Sequence, residues 1–328
     1  MFDASIGKSS VLMPFGGKYQ LTESEGSVQK LPVFGFTNTC SILTHGFHPQ
    51  IARFSPYLGA SYSVVEALAR VTAMGGDYRT CRLSNQEYFE RLHDDPKKWG
   101  KPMQALLGLV DAQLAFETPS IGGKDSMSGT FNNIHVPPTV ITFAVTTEQT
   151  QNILSPEFKK EGNYIYIIRH HAHDDHTPNY EELKSNFDKV RKLAREGVIV
   201  SAATTKFGGA AETICKMAFG NKIGAAIKSE ASLYDLEIGS IIVESKETLL
   251  DESFELLGIT TKEPMLILNE ESATIDEAIE AWCERYDHIY PMAVDKDGQK
   301  IDTPLYQAKE TLHARKTYEH PKVIIPVF

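Results

Sequence analysis

Pro119-Ser-Ile-Gly-Gly-Lys-Asp-Ser-Met-Ser-Gly-Thr-Phe131 separates two regular patterns. Before it, Met103, Leu106, Leu107, Val110 and Leu114 recur on one helical stripe, which Pro102 is expected to open. After it, Val140–Val145 is an apolar, β-branched run that reads as a strand. The quoted stretch is therefore a Gly/Ser-rich connection between a helix and a strand. Glycines allow a ligand close to the backbone, and consecutive N–H groups can cradle phosphate. Gly122 and Gly123 would supply that approach, Lys124 a positive charge, and Ser126 and Ser128 hydrogen bonds. Asp125 could hold Mg²⁺. The spacing is not that of a Walker A loop, since Asp125 follows the lysine and Thr118 stands where the first glycine belongs. A tight turn without a ligand accounts for the same residue types.

Toward the N-terminus, Ser10–Pro14 and Leu31–Phe36 are short apolar runs bounded by Gly and Pro and are expected to be strands. Ser55-Pro56 supplies an N-cap and a first-turn proline for a helix with Val64, Leu68 and Val71 on one face, stopped by Gly75-Gly76. Ser84 and Glu87 have capping-box spacing, which predicts a short helix carrying Tyr88, Phe89 and Leu92.

Beyond residue 160 strands and helices alternate. Tyr164–Ile168, Ile223–Ile227, Ile238–Val243 and Pro264–Leu268 read as strands. Helices are expected at 180–196 (ending at Gly197), from Gly208-Gly209 to before Gly220, at 247–257, and at 275–286 behind a Thr274/Glu277 capping box. The pattern predicts an α+β domain at 1–150 and an α/β domain at 151–321, joined across a polar, aperiodic stretch near 148–163.

The 328 residues, 41% apolar and 23% charged, are of ordinary globular composition, which argues against disorder or a disulfide scaffold. No run approaches a membrane span, and Met1–Phe15 lacks a signal-peptide pattern. Four separated cysteines read as reduced thiols, so a cytoplasmic location is expected. The net charge of −10 is concentrated after residue 150, where 21 basic residues face 30 acidic ones. That balance excludes a general nucleic-acid binder but not a nucleotide ligand.

Two further clusters carry ligand chemistry. Ala203-Thr204-Thr205-Lys206-Phe207-Gly208-Gly209 would place amides and a lysine at a helix N-terminus, an anion site or a plain strand–helix turn. His170-His171-Ala172-His173-Asp174-Asp175-His176 has metal-ligand types but no second ligand pair, so a solvated His-rich loop is the expected form. His45 and His48 are weaker candidates. No catalytic residue and no metal ligand is assigned.

Val11–Gly17, Ser55–Ala60, Ser63–Ala67, Gln86–Phe89 and above all Pro119–Phe131 resemble the phosphoribosylformylglycinamidine synthase family of purine biosynthesis. The likeness is to the second of its two synthetase halves and runs along essentially the whole chain. It implies the two-domain fold of the aminoimidazole ribonucleotide synthetases. It implies an ATP- and Mg²⁺-dependent conversion of formylglycinamide ribonucleotide to its amidine with glutamine-derived ammonia. The nucleotide-contacting residues implied are Gly122, Gly123, Lys124, Asp125, Ser126, Ser128, Thr204, Thr205, Gly208 and Gly209. Lys322–Phe328 resembles the first strand of the family's glutaminase domain, so the chain is expected to be a fragment, inactive alone. Its expected partners are the first synthetase half and the glutaminase domain, with a homodimer formed in their absence. Thr44-His-Gly-Phe-His-Pro49 departs from the family's catalytic His segment, so that role is not transferred. Arg169 and Thr204–Gly209 stand where the family carries acidic metal-binding groups, which implies that an auxiliary metal–nucleotide site is lost or altered. The alternatives are a nucleotide-binding or purely structural pseudoenzyme half, and a complete related synthetase.

Overall fold

The computed structural model describes residues 9–290, 319–320 and 322–326. Contacts divide the chain into one compact unit up to Trp282 and a small second unit from Cys283. The strands in chain order are β1 (Phe15–Gly16), β2 (Thr22–Glu23), β3 (Ser27–Lys30), β4 (Thr39–Phe47), β5 (Arg82–Tyr88), β6 (Ser120–Lys124), β7 (Thr130–Phe131), β8 (Ile134–His135) and β9 (Thr139–Gln149). They continue with β10 (Tyr164–Ile168), β11 (Ile199–Thr204), β12 (Gly224–Ile227), β13 (Ile241–Ser245), β14 (Phe254–Thr261), β15 (Met265–Leu268) and β16 (Glu271–Thr274). The α-helices are α1 (Pro49–Phe54), α2 (Pro56–Ala73), α3 (Pro96–Phe116), α4 (Tyr180–Arg195), α5 (Gly209–Phe219) and α6 (Ile275–Glu284).

Two separate large sheets result, giving a mixed α/β fold. A five-stranded sheet runs in the order β3-β4-β9-β5-β6, antiparallel except where β5 and β6 are parallel. A seven-stranded sheet runs β11-β13-β10-β14-β12-β15-β16, with β12 and β15 its parallel pair. Helix α2 lies on the first sheet and also reaches β11 and α4. Ala, Gly and Ser in its sequence permit close contact on several sides, and nearly every residue of it is buried. Gly46 of β4 shows how close: a β-carbon there would stand 1.9 Å from the Ser63 carbonyl oxygen of α2. A second core lies around α5, with Phe158, Ile165, Ile167, Ile214 and Met217 fully buried.

The caps at Ser55 and Thr274 act as expected, and Asn179 caps α4 as well, each side chain accepting an amide of the first helical turn. Several expectations are corrected. Ser10–Pro14 forms only an isolated bridge at Ser10, and Leu31–Phe36 belongs to no strand. Phe34 and Phe36 project into solvent, so no ladder partner rewards extension there. The Ser84/Glu87 spacing starts no helix. Residues 82–88 form β5, whose buried positions include Asn85 and Glu87, so polar residues mask its two-residue period. Helix α3 opens at Pro96 behind Asp95, about one and two-thirds turns before Pro102. Residues 247–257 contain no helix: Asp251 accepts the amide and hydroxyl of Ser253, and the chain turns into β14. The Gly-rich connection begins as a strand, β6. Residues 322–326 belong to no helix or strand, and the rest of the expected terminal strand lies outside the described residues.

Candidate functional site

Strand β6 forms one edge of the five-stranded sheet. Its five residues are all exposed. Gly123 is required by the close pairing with β5, because a β-carbon there would stand 2.6 Å from the Asn85 carbonyl oxygen. The ladder carries on past the strand: the Ser126 amide donates to the Glu87 carbonyl at 3.1 Å, and the Phe89 amide donates to the Ser126 carbonyl at 2.8 Å. This pairing displays Lys124 and Asp125 outward and leaves the Ser126 and Ser128 hydroxyls 3.0 Å apart. The exposed Lys124 ammonium donates to the Asp125 carbonyl at 3.4 Å. Beneath them Glu87 is buried; its burial, and then the Asp125 carboxylate, push its carboxyl up to about 7. The edge thus carries one cation, two hydroxyls and a carboxyl that changes charge near neutrality.

The second cluster has a different character. Thr204 donates to Glu25 at 2.7 Å, and the Lys206 ammonium meets the other Glu25 oxygen at 2.5 Å. Gly208 donates its amide to Glu212, and Gly209 donates its own to the Lys206 carbonyl. Thr205 hydrogen-bonds the Ser240 carbonyl. These groups therefore have partners within the chain, and the expected anion site at the start of α5 is internally satisfied.

Glu25 belongs to a buried charge network that was not legible in the sequence. Arg70 lies 3.9 Å from Glu25 and 2.5 Å from Glu66, its neighbour one turn earlier on α2. Glu66 also accepts the Phe47 amide at 2.9 Å and stands 2.9 Å from the His48 ring. Burial alone would raise the Glu25 carboxyl; Lys206, then Arg70, outweigh it and hold the group below its ordinary range. Burial likewise opposes ionisation of Glu66, but the adjacent His48 ring and Arg70 bring its carboxyl well below the ordinary range. Burial, with Arg70 nearby, lowers the His45 imidazole. A glutamate and an arginine four residues apart inside an otherwise small and apolar helix were the one sequence signal for this network.

The His-rich segment folds back on the chain. His170 is buried, with Nδ1 at 2.8 Å from the Ile238 carbonyl and Nε2 accepting the Asn179 amide at 3.0 Å. The carbonyl fixes the proton on Nδ1, and burial lowers the imidazole, so the ring is neutral. His171 pairs with Glu182 at 2.8 Å. No group of three or more metal-ligating side chains is assembled among the described residues. Arg169, at the end of β10, pairs with Glu237 and Glu255 at 2.5 and 2.7 Å.

No family model matches the chain. It is 22% identical over 289 residues to phosphoribosylformylglycinamidine synthase subunit PurL of Methanocaldococcus jannaschii, covering 76% of this chain and 39% of that protein. The same subunit from Thermoplasma volcanium is 23% identical over 283 residues, covering 77% of this chain and 36% of the relative. The chain thus spans under two-fifths of the length of these curated relatives. Among solved structures, Thermotoga maritima PurL complexed with ADP superposes with a TM-score of 0.63 at 14% identity, over 83% of this chain and 47% of that one. The hydrogenase maturation protein HypE in complex with ATP gives 0.55 at 14% identity, over 75% and 86%. By sequence this chain is similar to phosphoribosylformylglycinamidine synthase subunit PurL, and it shares that protein's fold.

Proposed function

We propose that the chain is a synthetase-half module of an ATP-dependent phosphoribosylformylglycinamidine synthase. In this reading it works with a catalytically competent half and a glutaminase, in the cytoplasm, to convert formylglycinamide ribonucleotide to formylglycinamidine ribonucleotide. The relationship to PurL over about three-quarters of the chain is the observation that carries this reading. It is supported by the exposed Lys124–Ser128 edge, where an ammonium and two hydroxyls could donate to phosphate oxygens. Gly122 and Gly123 would let the ligand approach the strand, with Asp125 and Glu87 beside it. Thr204, Thr205, Gly208 and Gly209 would make no direct ligand contacts in this reading, since their polar groups are used within the chain.

The described residues at the ends of β10 and β11 do not fit a resident Mg²⁺. Arg169 and Lys206 place cations there, and each already neutralises the nearest carboxylates. Ammonia-dependent release of ADP in the presence of formylglycinamide ribonucleotide tests the division of labour. The chain alone should show none above background, while turnover by the purified chain would refute the half-enzyme reading. Titration calorimetry with ATP tests the edge. Lys124→Ala and Ser126→Ala should each weaken binding about tenfold, the scale of one charge-assisted hydrogen bond. Affinity unchanged by both would remove the site.

A homodimer through the five-stranded sheet is part of the same proposal. Helix α2 covers one face of β4 and β9, while the opposite face exposes Leu43, Phe47, Val145 and Tyr88 to roughly two-fifths. An apolar sheet face of this kind suits a second copy or a homologous half. Sedimentation should report a dimer, converted to monomer by Val145→Lys. A monomeric parent chain would sink this part alone.

A further inference from the structure

We infer that the outer face of α3 joins two copies of this chain as an antiparallel helix pair, about a two-fold axis between Leu106 and Leu107. The apolar stripe expected on this helix is turned outward. Trp99, Met103, Leu106, Leu107 and Val110 are two-fifths to just over half exposed, and Leu114 is 72% exposed. The opposite side, packed on α2, is made of small residues: Ala105, Gly108 and Ala112 are buried, and a β-carbon on Gly108 would stand 2.2 Å from the Tyr57 carbonyl oxygen. A contiguous apolar patch of this kind marks an interaction surface.

The spacing of the stripe selects a second copy as the occupant. Its steps of four, three, one, three and four residues read the same from either end. Antiparallel pairing about the middle therefore sets Trp99 level with the partner's Leu114, Met103 with the partner's Val110, and Leu106 with the partner's Leu107. At the Leu114 end, Val110, Leu114 and Pro119 line a cavity of about 460 Å³. The two-fold brings the exposed Trp99 indole of each copy to that cavity in the other, and an aromatic anchor seated in a pocket is the contact from which interfaces draw most of their strength.

Charge fixes the direction. Lys97, Lys98 and Lys101 lie at one end of the helix, Asp111 and Glu117 at the other. Antiparallel pairing brings unlike ends together, whereas parallel pairing would bring like ends together. Lys98 and Lys101 also pair with Glu90. Lys97 is exposed and comes within one turn of the partner's Glu117. The stripe offers on the order of 600 Å² per copy, so the pair buries about 1,200 Å², the lower limit for a stable interface. Association is therefore weak, with Kd on the order of 100 μM. This surface is separate from the sheet-face homodimer and does not rest on it.

Sedimentation equilibrium of the full chain carrying Val145→Lys tests the pairing, since that substitution removes any sheet-face contact and leaves α3 intact. The mass should rise toward twice the monomer's between about 10 μM and about 1 mM. Leu107→Lys and Trp99→Ala, both at exposed positions, should each weaken the association about tenfold or more with the melting temperature retained. Lys97→Glu should weaken it about threefold, and adding Glu117→Lys should restore it. Association unchanged by Leu107→Lys or Trp99→Ala, or a double reversal weaker than the single one, would overturn the antiparallel pair. A mass that stays monomeric to about 1 mM would overturn it too, and would assign the face to a different protein.

Discussion

Glu66→Ala should destabilise the protein by about 3–5 kcal/mol, the usual cost of removing one member of a buried ion pair. Glu66 is nine-tenths buried and serves Arg70, His48 and the Phe47 amide together. Its loss leaves a buried guanidinium with Glu25 as the nearest remaining carboxylate, at 3.9 Å. Glu66→Gln keeps the volume and one acceptor and should cost less. Urea unfolding at pH 7 reads both values; a loss under 1 kcal/mol for Glu66→Ala would mean that solvent replaces the network.

The same network predicts an acid limb. The Glu66 carboxyl lies below its ordinary value of 4.5 in the folded state. Its contribution to stability is therefore complete above that ordinary value and is lost as pH falls through the lower, folded one. Glu25 is shifted in the same direction and adds to the effect. The parent chain should lose stability steeply below about pH 4.5, and Glu66→Gln should flatten the slope. Equal slopes would show that other carboxylates dominate acid unfolding.

The second large effect is expected at Phe187 of α4, where Phe187→Ala should cost about 3–5 kcal/mol. The ring is fully buried, stacks on Phe116 at 6.1 Å and meets Tyr78 edge-on at 5.6 Å. Tyr180 meets the edge of Phe116 at 5.4 Å, so the cluster ties α3 and α4 to the turn at Tyr78–Thr80. Because they share one cavity, Phe116→Ala and Phe187→Ala together should cost less than the sum of the single variants. Full additivity in equilibrium unfolding would show that the site collapses independently around each deletion.

The candidate phosphate edge was half legible. Lys124, Asp125, Ser126 and Ser128 are residue types that announce themselves, and the end of β6 with the segment after it brings them to the sheet edge. Glu87 was not legible as their neighbour, because its capping-box spacing suggested a helix. The strand forms instead because β9 and β6 pair on either side of it. The residues Thr204–Gly209 were legible as a strand–helix turn. Their use was not, since Thr204 and Lys206 are committed to a carboxylate far upstream in the chain.

What the sequence determined by itself is local. Ser55-Pro56, Asn179 and the Thr274/Glu277 box start α2, α4 and α6 through side chains within one turn of the amides they satisfy. Gly75 and Gly197 follow α2 and α4 at positive φ, where a β-carbon is unfavourable. Tyr164–Ile168 needed only its own apolar run to be a strand. Tertiary structure decided the rest: that α2 is buried nearly all round, that Asn85 and Glu87 point inward, and that Lys206 neutralises Glu25 across 181 residues. Caps and periodicity act over one or two turns and leave a mark in neighbouring residues. A buried charge is stable only beside its partner, and where that partner lies along the chain is set by how the layers close around it.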